Sequence, residues 1–97
     1  MKITILPSAR EDMAAGFHFY ESQQNGLGNY FLESLFTDIE SLRPYAGYHR
    51  KVFGFHRLLA KKFPYAIYYS MEAGEICVRT VLDCRRDPDQ IRDRLKD

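Results

Sequence analysis

Near the middle of this chain the hydrophobic period changes from helical to strand-like, and that change limits what it can fold into. Through residue 42 the apolar positions recur every three or four residues, and after Tyr45-Ala46-Gly47-Tyr48 they recur every second residue. The first spacing lines one side of a helix, and the second lines one face of a strand. Ahead of both, Lys2-Ile3-Thr4-Ile5-Leu6 alternates with β-branched residues as a strand does, and Pro7 ends it. Ser8 and Glu11 have capping-box spacing, which predicts a helix with Met13, Phe17 and Tyr20 on its apolar side and a stop near Asn25-Gly26. A second helix follows at once, with Leu27, Phe31, Leu35, Ile39 and Leu42 at helical spacing and Tyr30, Leu32 and Phe36 widening the stripe. Glu33, Asp38 and Glu40 fall on its wet side, and Arg43-Pro44 is expected to end it. A link this short between two helices predicts an antiparallel hairpin.

Three strand-like runs come next: FHRLLAKKF, PYAIYYS and EICVRTVLD, the last two joined by the hairpin loop Glu72-Ala73-Gly74-Glu75. Strict alternation puts Ile76, Val78, Thr80 and Leu82 on one face, and Cys77, Arg79, Val81 and Asp83 on the other. A last helix opens at Asp87-Pro88-Asp89-Gln90, with Asp as N-cap, Pro at the first helical position and Gln closing a box; Ile91 and Leu95 give it one apolar edge. The expected fold is α+β, one domain over residues 1–97, in the order β-α-α-β-β-β-α. The helical hairpin packs on one face of a curved antiparallel sheet, and the other face is left more polar and partly cationic.

Composition excludes several function classes. At 45% hydrophobic and 28% charged the chain is ordinary globular protein, and no apolar run approaches the roughly 20 residues of a membrane helix. The opening MKITILPSARED has no signal-peptide pattern, so a cytoplasmic protein with no membrane association is expected. Cys77 and Cys84 bracket the end of a strand and read as buried free thiols. His18, His49 and His56 lack metal-ligand spacing, and Gly26-Leu27-Gly28 is an ordinary turn, not a phosphate loop. No metal and no cofactor are expected.

Charge is segregated. Residues 1–48 hold three basic and six acidic side chains, whereas YHRKVFGFHRLLAKKF holds five cations, two histidines and no acid. Such a segment points to an anionic partner or to a solvated strand face. The candidate binding residues are Arg57, Lys61, Lys62, Arg79, Arg85 and Arg86, taken together as a cationic sheet face. Two kinds of chemistry suit them. Metal-free RNA cleavage needs cations for developing phosphate charge and proton carriers, for which Tyr65, Tyr68 and Tyr69 are available. Gripping an acidic protein segment needs only fork-shaped arginine donors. Arg85 and Arg86 also read as strand-end charge, with Arg86 paired to Asp83 or Asp87.

Over nearly its whole length the chain resembles the RelE/ParE superfamily of toxins from bacterial type II toxin–antitoxin systems. The resemblance rests on ARED…GFHFYESQQNGLGNYFLESL, the strand FPYAIYY and the closing VLDCRRDP, in this order. It implies a helical hairpin on a curved sheet, a role in growth inhibition and plasmid stabilisation, and a hetero-oligomer with a cognate antitoxin that wraps the toxin. RelE-like members cut mRNA on the ribosome and carry an Arg in the middle strand, basic residues in the strand before it, a late Arg, and then a Tyr or His. ParE-like members block DNA gyrase without that set. Here Ala66 stands about where the strand Arg would be, and no Tyr or His follows Arg86. The ParE-like branch is therefore favoured, with the six cations as target or antitoxin contacts. The alternatives are a RelE-type endonuclease using the same cations catalytically, and a non-toxic member that only binds its antitoxin.

Overall fold

A computed structural model describes residues 1–96. Five strands form one sheet: β1 (Lys2–Ile5), β2 (Lys51–Val52), β3 (Phe55–Leu59), β4 (Tyr65–Glu72) and β5 (Glu75–Asp83), lying side by side as β1-β5-β4-β3-β2. The helices are α1 (Pro7–Gln23), α2 (Leu27–Glu40), the one-turn α3 (Leu42–Tyr45) and α4 (Pro88–Leu95). The α+β class and the helical hairpin are as expected from the sequence. Strand β2 and helix α3 are additions too short to leave a periodic signal.

The sheet is antiparallel except at one edge, where β1 runs parallel to β5 with Lys2 opposite Glu75 and Ile5 opposite Val78. After Ile5 the chain turns into α1, and from Val78 onward the entry to that helix and the helix itself complete the edge of β5 with main-chain and side-chain groups. The Leu6 N–H donates to the Val78 carbonyl at 3.0 Å, and the Ser8 hydroxyl to the Arg79 carbonyl at 2.6 Å. The Asp12 carboxylate accepts the Val81 N–H at 3.1 Å and the Thr80 hydroxyl. An open strand edge would leave these groups unpaired, so the helix stands in for a longer β1. For the same reason the expected capping box is absent: α1 starts at Pro7, and Ser8 serves the strand instead.

A bulge in β5 overturns the strict alternation. Tyr68 lies opposite Thr80 but Tyr69 lies opposite Val78, so Arg79 is an extra residue. Val81 consequently joins Ile76 and Val78 in the core beneath α1 and α2, while Leu82 joins Ala66 and Tyr68 on the other side. That second face is not left polar. Ile91 and Leu95 of α4 pack on Ala66, Tyr68 and Leu82, and the sheet is covered on both sides. Helix α4 begins as predicted, with Pro88 first and the Asp87 carboxylate accepting the Asp89 N–H at 2.8 Å. Gln90 contributes its N–H to the Asp87 carbonyl.

Three further expectations change. Asp38 is only 4% exposed, because the turn after β3 lies over α2 and Lys61 donates its N–H to the Asp38 carboxylate at 3.2 Å. Pro44 lies inside α3, in a first turn whose N–H groups have no intrahelical partner to lose. Cys77 is buried as expected, but Cys84 is exposed just past β5. Two glycines let α1 and α2 touch: a Cβ on Gly16 would meet the Phe31 ring at 2.6 Å, and one on Gly28 the Phe17 carbonyl oxygen at 2.8 Å. Gly28 is thus a helix-crossing residue and not merely part of the turn, whose left-handed position is Gly26 at φ +87°.

Candidate functional site

The six candidate cations do not form one face; the fold divides them among three places. Arg57 lies opposite Tyr68 on the side of the sheet covered by α4, its guanidinium beside the Tyr68 hydroxyl. Arg79, at the bulge, reaches Ser70 (3.5 Å) and Glu72 (3.6 Å) and lies 5.3 Å from the centre of the Phe55 ring. Lys61 and Lys62 sit in the exposed turn between β3 and β4, on the other side. The Lys62 ammonium stands 5.0 Å over the Tyr30 ring of α2. Arg85 and Arg86 lie past the end of β5 and line a pocket against α1. The cause is topological: the bulge shifts Arg79 out of the alternation, the β3–β4 turn carries Lys61 and Lys62 to α2, and the turn after β5 carries Arg85 and Arg86 to α1.

The three tyrosines are divided too. Burial pushes the Tyr68 phenol up, opposed by Arg57, so this hydroxyl holds its proton more tightly than a free tyrosine. Tyr69 is fully buried, and its hydroxyl accepts the Gly47 N–H at 3.0 Å and shares a hydrogen bond with His49 Nδ1 at 2.5 Å. The His56 ring stacks on Tyr69 with centroids 5.1 Å apart, and His56 Nδ1 donates to the His49 carbonyl at 2.7 Å. Two histidines that look scattered in sequence are therefore joined through one tyrosine. Burial, followed by the nearby His56, lowers the His49 pKa. Among the described residues no third His, Cys, Asp or Glu completes a metal site around this pair.

Tyr65 belongs to the pocket beyond β5. This cavity of roughly 380 Å³ is lined by Ala15, Gly16 and Phe19 of α1, by Tyr65, Val81 and Asp83 of the sheet, and by Asp12, Arg85 and Arg86. Arg85, not Arg86, pairs with Asp83: its Nε lies 2.9 Å from Oδ1 and its Nη2 2.6 Å from Oδ2. That fork, before any other influence, holds the Asp83 carboxyl below its ordinary value and the Arg85 guanidinium above its own. Burial raises the Tyr65 phenol, aided by Tyr20 and Asp83 and opposed by Arg85 and Arg86. Among the described residues Arg86 has no ion pair; only its backbone N–H is engaged, with the Asp83 carbonyl at 3.2 Å.

Sequence reasoning missed Asp12 and the His49–Tyr69–His56 group. A signal for Asp12 was present, since Ser8, Asp12, Ala15 and Phe19 fall on one flank of a helix by three- and four-residue steps. Nothing in linear spacing joins residues 49, 56 and 69.

A solved structure described as "Chromosomal ParDE TA system from P. aeruginosa" superposes on this chain with a TM-score of 0.69, covering 84% of this chain and 92% of that one. The two chains share one fold. Identity is 16%, so the likeness speaks for the fold alone. No protein-family model and no curated protein matches the chain in sequence. The ParDE chain thus has the architecture that the sequence resemblance to RelE/ParE toxins implies. In the present chain the middle of β4 faces a packed apolar seam. Ala66 is 1% exposed, in one cluster with Leu82, Ile91 and Leu95. Among the described residues no helix is long and apolar enough to cross a membrane.

Proposed function

We propose that this chain is the toxin of a bacterial type II toxin–antitoxin system. It inhibits growth by binding a protein target, DNA gyrase, and a cognate antitoxin neutralises it in a cytoplasmic hetero-oligomer. The shared fold supports the toxin–antitoxin role. The observation that favours protein binding over RNA cleavage is the seam around Ala66. A nuclease needs a cation there for the developing phosphate charge, and losing such a group costs about 10² to 10³ in rate. Here α4 fills the position with Ile91 and Leu95. The outer groove between α1 and α2 supplies apolar surface for the antitoxin to cover. It encloses roughly 600 Å³ and is lined by Met13, Phe17, Leu32 and Phe36.

One observation favours the second reading, a RelE-type endonuclease: Arg57 and Arg79 flank Tyr68 and Phe55 on one side of the sheet. Inducing the chain without antitoxin in growing bacteria separates the two. Relaxed plasmid DNA with intact transcripts is expected, together with inhibited supercoiling by purified gyrase. Codon-phased new RNA 5′ ends would replace the gyrase reading with the nuclease. Unimpaired growth at high expression would leave only antitoxin binding.

A further inference from the structure

The pocket beyond β5 is a site of surplus donors. Both of its carboxylates already have protein partners. Asp83 is held by the Arg85 fork, and Asp12 accepts from the Val81 N–H, the Thr80 hydroxyl and the Arg94 guanidinium. Donors are left over. Among the described residues Arg86 has no ion pair, Arg85 bonds through Nε and Nη2 but not Nη1, and the Tyr65 hydroxyl has no hydrogen bond. Counting Arg94 with the lining, three guanidiniums face two carboxylates, so the excess is one positive charge, on Arg86. Arg85 and Arg86 are exposed and Tyr65 is half-buried, so water meets these donors until an acceptor displaces it, and the acceptor a guanidinium matches best is a planar oxyanion.

The apolar remainder of the pocket narrows the ligand. Ala15 and the half-exposed ring of Phe19 line it from α1, Val81 and Tyr65 line it from the sheet, and the Tyr65 hydroxyl lies against Gly16. A volume of roughly 380 Å³ suits a small group with an apolar body. A single excess charge matches a carboxylate better than a dianionic phosphate. We infer that the pocket formed by α1 and the end of β5 binds a carboxylate on an aromatic or aliphatic frame, with Arg86 and Tyr65 as its ligands and Arg85 held in place by Asp83. The carboxylate belongs either to an acidic side chain of a partner polypeptide or to a free organic acid. The inference stands on this pocket alone and does not depend on the reading of the chain as a toxin.

The test uses the whole chain, made by cell-free synthesis and labelled with ¹⁵N, titrated with sodium benzoate and with the dipeptide N-acetyl-Glu-Phe-amide at constant ionic strength. Saturable shifts are expected at the amides of Gly16, Phe19, Arg85 and Arg86. Arg86 is exposed and unpaired, so R86Q retains the fold and weakens binding at least tenfold. Y65F keeps the ring and weakens it several-fold, and A15F closes the mouth without altering any charge. Tighter binding of the dipeptide than of benzoate assigns the carboxylate to a polypeptide partner, and the reverse order to a free acid; either supports the site. Inorganic phosphate binding as tightly as benzoate would overturn the carboxylate assignment. Shifts that fail to saturate, or that persist unchanged in R86Q and A15F, would overturn the pocket itself.

Discussion

Asp12→Ala tests the claim that α1 finishes the edge of β5. The wild-type carboxylate, 11% exposed, accepts from the Val81 N–H, the Thr80 hydroxyl and Arg94. Removing it leaves the Val81 N–H of a buried strand residue without a partner, a loss of about 1–3 kcal/mol. The Thr80 hydroxyl can turn elsewhere. Arg94 loses its counter-charge, but its side chain is 35% exposed and water screens it, so about 0.5–1 kcal/mol follows there. The total is about 2–4 kcal/mol, a large share of the 5–15 kcal/mol of a typical domain. At roughly 4–8 °C per kcal/mol the melting temperature falls by on the order of 15 °C. Urea unfolding measures the loss directly, provided the m-value is unchanged. Asp12→Asn retains an acceptor for Val81 and loses about 1 kcal/mol, and combining it with Arg94→Gln costs less than the two losses added, because they share one interaction. A D12A protein within about 0.5 kcal/mol of wild type would refute the edge-completion account.

Three other predictions follow from the packing and the titrating groups. Gly28→Ala places a methyl 2.8 Å from the Phe17 carbonyl oxygen, backbone that cannot yield. It should cost about 1–3 kcal/mol, more than the ~1 kcal/mol it gains in helix propensity, and a raised melting temperature by calorimetry would contradict the close crossing. His49 has a folded-state pKa below its ordinary value, so the unfolded chain takes up the proton first as pH falls. Its contribution is complete above about pH 6.5 and declines by up to about 1.4 kcal/mol per pH unit until the folded imidazole titrates. Urea midpoints between pH 7.5 and 5.5 should therefore fall less in H49N than in wild type, and parallel slopes would exclude a role for this group. Iodoacetamide should modify the exposed Cys84 in the folded protein and Cys77 only after unfolding, with Cys84 slow at neutral pH because desolvation by the surrounding protein, first among its influences, raises that thiol. Equal labelling of both in mass spectrometry would show that β5 opens readily.

The α+β class and the main helix and strand segments were legible because each carries a long, regular apolar period. Met13, Tyr20, Phe31, Leu35 and Ile39 are all buried where helical spacing puts them. What failed did so for local reasons. The bulge at Arg79 is one residue in a run that alternates well on either side of it, and no linear pattern marks it. Asp38 looked solvated because the turn that covers it belongs to residues more than twenty positions away. Ser8 had two possible partners, a helix start and a strand edge, and only the parallel pairing of β1 with β5 decides between them. The candidate cations do not share one surface, and only Lys61, Lys62, Arg85 and Arg86 among them are exposed, since membership of one face depends on the bulge and the turns.

The pairing of β1 with β5 has a consequence for how the chain comes into being. The first strand finds its partner in Glu75–Val78, and Asp12 meets Arg94 at a separation of 82 residues. During synthesis β1, α1 and α2 have no sheet to settle on until β4 and β5 have emerged, because contacts this distant in sequence can close only late. The helical hairpin waits with its apolar side uncovered while the remaining half is made. The sheet-end pocket, built from the first helix and the last strand, is among the last features to exist.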